Sequence, residues 1–162
     1  MVEQIISWYS IFPPELATFL ISMLPIGELR FSIPIGVAAY HLPVWEVFLI
    51  SIFGNSLPTL AILMFAGKFH LWVEKKSGFF SRRWINGLAG AQKKFQKYEK
   101  YGLWGLFLFI GSCLPGTGSY TGAIIAFVFG VPFRHSWPYI FGGIVMTGVI
   151  TTVFTVGIDK II

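Results

Sequence analysis

LATFLISMLPIGELRFSIPIGVAAY, residues 16–40, is apolar at both ends and interrupted by Pro25-Ile26-Gly27-Glu28-Leu29-Arg30. Each apolar arm is about eleven residues, which as an α-helix reaches ~16 Å. That is half of the ~30 Å hydrocarbon core of a bilayer. Proline lacks an N–H and clashes with the preceding turn, so Pro25 ends a helix. Two short arms joined by such a break form a re-entrant hairpin that enters and leaves a membrane on one side. The alternative is a single kinked crossing helix.

Three further apolar stretches follow. Val44 to Ala66 is continuous, with Glu46 at its start and Asn55 near its middle; Pro58 adds an expected kink. Leu103 to Gly130 is broken by Pro115-Gly116-Thr117-Gly118. Trp137 to Ile158 carries no charge. The second and fourth are long enough to cross the core as helices. The broken stretches recur at matching places: Leu24-Pro25 matches Leu114-Pro115 at an offset of 90, Leu42-Pro43 matches Val131-Pro132 at 89, and Phe53-Gly54-Asn55 matches Phe141-Gly142-Gly143 at 88. Each half therefore reads as a broken hairpin, a Pro-containing turn and a long helix. If only the long helix crosses, an odd number of crossings inverts the second half relative to the first. The expected fold is an all-α integral membrane protein of two inverted repeats, each a re-entrant helical hairpin plus a transmembrane helix. It forms a single transmembrane domain over 1–162, with repeat one at about 14–67, a basic amphipathic linker at 68–100 and repeat two at about 101–158.

Composition agrees. The 162 residues are 55% hydrophobic and 12% charged, with mean hydropathy +0.72, against roughly 25% charged in soluble domains. A soluble enzyme, a disulfide scaffold and a disordered chain are excluded on these grounds. Of twelve Lys and Arg, nine lie between Lys68 and Lys100. Such a block can signal nucleic acid, but between apolar runs it reads as a cytoplasmic, positive-inside loop. Trp84, Leu88, Ala91, Phe95 and Tyr98 recur there at helical spacing, as in an interfacial amphipathic helix. The first residues lack the basic region of a signal peptide. Cys113, the single cysteine, is expected to be a small core residue, and neither disulfide nor thiolate metal site can form from it. His41, His70 and Arg134-His135 stand at span ends, as interfacial anchors.

Ionisable groups deep in a membrane are costly and therefore functional candidates. Glu28 and Arg30 are the only ones far from the ends of an apolar run. They form either a self-neutralising pair at the hairpin tip or a binding and coupling site. In the second reading Arg30 holds an anionic group through its guanidinium fork, and Glu28 binds and releases a proton. In the second broken stretch Gly116, Thr117, Gly118, Ser119, Tyr120 and Thr121 open a helix whose N–H groups and hydroxyls suit an anion. The alternative is that they permit close helix packing. Asn55, which needs a partner in lipid, either caps a broken helix or lines the pathway. No metal cluster, no cofactor motif and no catalytic constellation is visible, so an enzyme is the least expected class.

Pro-Ile-Gly-Glu-Leu-Arg-Phe-Ser-Ile-Pro-Ile-Gly (25–36), Gly-Asn-Ser-Leu-Pro (54–58) and Tyr-Gly-Leu-Trp-Gly-Leu-Phe-Leu-Phe (101–109), running into Leu-Pro-Gly-Thr-Gly-Ser-Tyr-Thr-Gly-Ala (114–123), resemble the small multi-drug export proteins of bacteria and archaea, distant relatives of the DedA (VTT) superfamily. The resemblance covers nearly the whole chain. It implies two re-entrant hairpins in inverted repeats, in the cell membrane of a prokaryote. DedA-type proteins are implicated in flipping lipid phosphates, notably undecaprenyl phosphate, with proton or sodium coupling, and eukaryotic cousins scramble phospholipids. By resemblance Glu28 corresponds to the acidic residue of the first re-entrant motif and Arg30 to a nearby basic one. The arginines that DedA proteins carry around the second hairpin are absent here, apart from Arg134. The leading expectation is a transporter of a lipid-linked or amphiphilic anion, with membrane lipids as partners and homo-oligomerisation compatible with the sequence. A cationic-drug exporter working through Glu28 and a non-transporting membrane scaffold are the alternatives.

Overall fold

The computed structural model describes residues 12–25, 27–75, 99–112 and 118–159. The amphipathic pattern over Trp84–Tyr98, Cys113, Pro115, Gly116 and Thr117 lie outside the described residues. The described chain is helical, with six α-helices: α1 Pro14–Ser22, α2 Leu29–Pro34, α3 Val44–Lys75, α4 Glu99–Gly111, α5 Ser119–Val128 and α6 Phe133–Asp159. Strands are absent among the described residues.

Both broken stretches are paired short helices. Pro14 opens α1 at its first position, where a missing N–H costs nothing. The chain leaves α1 through Met23 and Leu24 and restarts at Leu29. Pro34 has no N–H to donate into the α2 ladder, and the helix loosens there into a π-helical turn, Ile35–Ala39. α1 packs against α2 and this turn, and α4 packs against α5.

The two halves share local geometry. Ser22 Oγ donates to the Phe19 carbonyl at 2.6 Å and Ser112 Oγ to the Phe109 carbonyl at 2.9 Å, 90 residues apart. The first hairpin ends on His41 with φ 54, the second on Gly130 with φ 70. The next N–H turns back in both, from Leu42 to Gly36 at 3.1 Å and from Val131 to Ala126 at 2.9 Å. Then a proline carbonyl starts the long helix. Pro43 accepts from Glu46 and Val47, and Pro132 accepts from His135 and Ser136.

Two long helices cover Val44–Phe65 and Phe133–Gly157 with apolar sequence sufficient to cross a membrane. α3 runs beyond the expected end at Ala66 and continues to Lys75, into the basic segment. A helix leaving the bilayer has no reason to stop where its apolar residues do. Pro58 lies within α3, which continues through it.

By its contacts the chain divides into two compact units, Met1–Leu57 with Ile144–Ile162, and Pro58–Gly143. Each contains one hairpin, the first part of the long helix that follows it and the last part of the other long helix. In the first unit Ala17, Ile21, Leu29, Ile33, Val47, Ile52 and Ile144 are buried; in the second, Leu106, Ile110, Ala123, Ala126 and Ile140. The outward faces are also apolar. Along α3, Trp45, Leu49, Phe53 and Leu57 repeat every four residues and are exposed, Trp45 by 67% and Phe53 by 63%. The opposite stripe, Val47, Ser51, Asn55 and Thr59, is buried. Apolar outside and hydroxyl or amide inside is stable only where the surroundings are hydrocarbon. This is a membrane protein.

Candidate functional site

Glu28 occupies the break in the first hairpin. Its N–H donates to the Leu24 carbonyl at 3.1 Å, and its own carbonyl accepts from Ser32 N–H at 3.2 Å. The residue thus closes the turn leaving α1 and opens α2 as its N-terminal cap. Its backbone adopts φ 51 and ψ −144, a region that glycine fills cheaply and that costs other residues about 1–3 kcal/mol. The side chain is nonetheless buried, with 5% of its surface exposed. A strained backbone holding a buried carboxylate in an apolar chain makes Glu28 a candidate functional position.

Arg30 lies in the first turn of α2, which begins one residue before it rather than after it, and is half-buried. Below Glu28 by one helical turn is Ser32, fully buried, whose Oγ donates to Ser51 Oγ on α3 at 2.8 Å. Asn55, one turn further along α3, is fully buried. It stands inside an unbroken helix, so it caps no break in its own element. Gly54 beside it makes the close approach of α1 possible: a Cβ there would meet Ser22 Oγ and, at 2.8 Å, the Phe19 carbonyl. Glu28, Arg30 and Asn55 all belong to the first unit.

The remaining candidates belong to the second. Gly118, extended at φ −89 and ψ 168, precedes the first residue of α5, and Ser119, Tyr120 and Thr121 form the first turn of that helix. Ser119 is fully buried and accepts a 2.9 Å hydrogen bond from Thr59 Oγ1. Tyr120 is half-buried and Thr121 is exposed. Gly143 plays in this unit the part of Gly54 in the other, since a Cβ on it would meet Ile110 Cβ at 2.8 Å and the Phe107 carbonyl at 3.1 Å. Gly142 beside it is close-packed as well, since a Cβ there would lie 3.1 Å from the Phe107 ring. A groove between α4 and α5 is lined by Gly105, Leu106, Phe109, Ile125, Ala126 and Phe129, and none of these offers a polar side chain to a charged group. Among the described residues, no three His, Cys, Asp or Glu side chains are arranged to hold a metal ion.

Ser32, Ser51 and Thr59 were not singled out by sequence. Their signal was the four-residue spacing of Ser51, Asn55 and Thr59 opposite the apolar stripe of α3.

A family model described as "Putative small multi-drug export protein" matches residues 28–150, beginning on Glu28 itself and covering well over half of the chain. The chain belongs to this family. No curated protein and no solved structure matches it. The span shared with other small multi-drug export proteins contains Glu28, Arg30 and Asn55 and the whole of residues 116–121. The matched span thus runs from Glu28, within the first break, through the whole of the second, and the family's name describes a small multi-drug export protein.

Proposed function

We propose that the protein transports an amphiphilic anion, such as a polyprenyl phosphate, across the membrane in a DedA-like manner, with Arg30 holding the anionic head and Glu28 coupling the cycle to protons or sodium. The observation that carries this reading is Glu28: a carboxylate buried to 95%, on a backbone that a glycine would adopt more cheaply. Burial of an ionisable group in an apolar chain is too costly to serve packing alone. Arg30, two residues on, supplies the fork of donors that recognises phosphate or carboxylate. Asn55 adds amide hydrogen-bonding capacity in the same unit. The Gly116–Thr121 segment is the counterpart in the second hairpin, offering small residues and hydroxyls in place of charge. In this reading the two halves are inverted repeats with re-entrant hairpins, the 68–100 segment is cytoplasmic, and the protein performs no covalent chemistry.

Purified protein in liposomes is expected to translocate a polyprenyl phosphate, and Arg30→Ala to abolish this. Undiminished transport by Arg30→Ala would remove the anion site. The family's name favours a second reading, export of cationic drugs with Glu28 as shared proton and substrate site. An adjacent arginine repels cations, so the two readings separate cleanly. Dye export lost in Glu28→Gln and kept in Arg30→Ala would establish the drug exporter. Indifference to both substitutions in a folded protein would point to a scaffold.

A further inference from the structure

Arg134 and His135 are the only Arg, Lys, His, Asp or Glu residues between Lys100 and Asp159. Both are exposed and lie in the first turn of α6. The apolar span that they open, Phe133–Gly157, has 25 residues. At ~1.5 Å per residue it is about 37 Å long, which exceeds a ~30 Å hydrocarbon core, so its ends reach the headgroup layer. A guanidinium in the core itself would cost ~2.5–3.5 kcal/mol, which sets this charged turn at the polar boundary.

Rings surround that turn. Phe133 and Trp137 stack nearly parallel with centroids 6.2 Å apart, and Trp137 meets Phe141 at 5.6 Å. Trp104 of α4 packs edge-on against Tyr139 at 5.6 Å and against Phe107 at 5.9 Å. Trp104 is 56% exposed and Phe133 39%. Two helices thus bring indole and phenol rings to one level beside a cationic turn. Indole and phenol are apolar bodies with one polar atom, the chemistry that settles at a lipid–water boundary. Uncompensated positive charge at that boundary attracts anionic lipid.

We propose that the start of α6, with Trp104, Tyr139 and Trp137, is a headgroup-level contact surface that retains an anionic phospholipid, its phosphate against the Arg134 guanidinium and His135. The surface is independent of what the protein transports. The occupant is a lipid rather than a second copy of the chain because across a symmetric interface the Arg134–His135 turn would meet its own basic residues, whereas a lipid phosphate complements it.

Two measurements test this. In the first, a variant retaining Trp104 as its single tryptophan, the other five changed to Phe, is reconstituted with lipids brominated near the ester linkage or near the chain end. Stronger quenching by the shallow bromines is expected. Stronger quenching by the deep ones, or protection from both in a dimer, overturns the proposal. In the second, the full chain is purified from mixed phosphatidylglycerol and phosphatidylcholine, and the retained lipid is identified by mass spectrometry. The Arg134→Gln, His135→Gln variant is expected to lose part of its phosphatidylglycerol while keeping its phosphatidylcholine, and Arg134→Lys to restore it. Unchanged phosphatidylglycerol in a folded double variant refutes the site. The gel-filtration profile in phosphatidylcholine alone establishes folding for both.

Discussion

Alanine at Gly54 and alanine at Gly105 should have opposite effects, and the difference between them measures how tightly the first hairpin is held. Both glycines are helical, Gly54 in α3 and Gly105 in α4. Both gain about 0.8–1.0 kcal/mol of helix propensity on becoming alanine. At Gly105 a Cβ meets nothing within 4 Å, so this gain stands alone. At Gly54 the Cβ meets the Ser22 hydroxyl and lies 2.8 Å from the Phe19 carbonyl. Ordinary contact begins at 3.4 Å, so α1 must retreat by about 0.6 Å. The carbonyl is backbone and cannot swing aside, and overpacking of this kind costs ~1–3 kcal/mol. Because the propensity term cancels in the comparison, the two variants should differ by that overpacking term. At ~2–4 °C per kcal/mol for a chain of this size, the midpoints of thermal unfolding in detergent should separate by roughly 2–12 °C, with Gly105→Ala above the parent protein. Gly54→Ala combined with Ser22→Ala should recover part of the loss, since the hydroxyl leaves and the carbonyl stays. Melting of the two single variants within about 1 °C of each other would refute the close approach of α1 to α3.

Other outcomes follow from the same geometry. Thr59→Val or Ser119→Ala alone removes the 2.9 Å hydrogen bond between these buried hydroxyls, and should cost ~0.5–1.5 kcal/mol in a thermal melt. The double variant should cost less than the two losses added together. His41 holds φ 54 where Gly130 holds φ 70, so His41→Gly should raise the melting point and Gly130→Ala lower it, each by the equivalent of ~1–2 kcal/mol. Transport assays on Glu28→Gln should show the coupling lost while protein folding, read by gel filtration, persists.

The breaks of both hairpins were legible because proline and glycine act locally: Pro25 and Gly118 announce themselves whatever surrounds them. The corners were half legible. Pro43 and Pro132 were visible, but histidine, though commoner than most residues in the left-handed region, is still rare there, and at His41 the conformation goes with the returning Leu42 N–H bond to Gly36. The polar stripe of α3 was legible at Asn55 alone. Serine and threonine bond readily to the carbonyl one turn back, as Thr18 does to Pro14, so in an apolar helix they carry little signal. Their meaning came from pairing across helices, Ser32 with Ser51 and Thr59 with Ser119, which no local pattern encodes.

The two hairpins differ most where they correspond most closely. Glu28 and Gly118 each precede the second arm of a hairpin, 90 residues apart. Backbone economy would place the glycine at the positive φ and the ordinary residue elsewhere. The reverse holds: glycine takes an unstrained extended conformation at 118, and glutamate takes φ 51 at 28. At Glu28 the strain of ~1–3 kcal/mol adds to the cost of burying an ionisable side chain, and both would vanish with glycine. Leu29 and Ile33 fill the buried face of the same arm with apolar side chains, so the carboxylate is the exception there. In the transport reading proposed above, what the glutamate supplies is chemical, and residues 101–158 hold no acid to match it. On the proposal above, Glu28 and its neighbour Arg30 give the first hairpin its charge chemistry, while the corresponding stretch of the second offers hydroxyls and glycines in sequence.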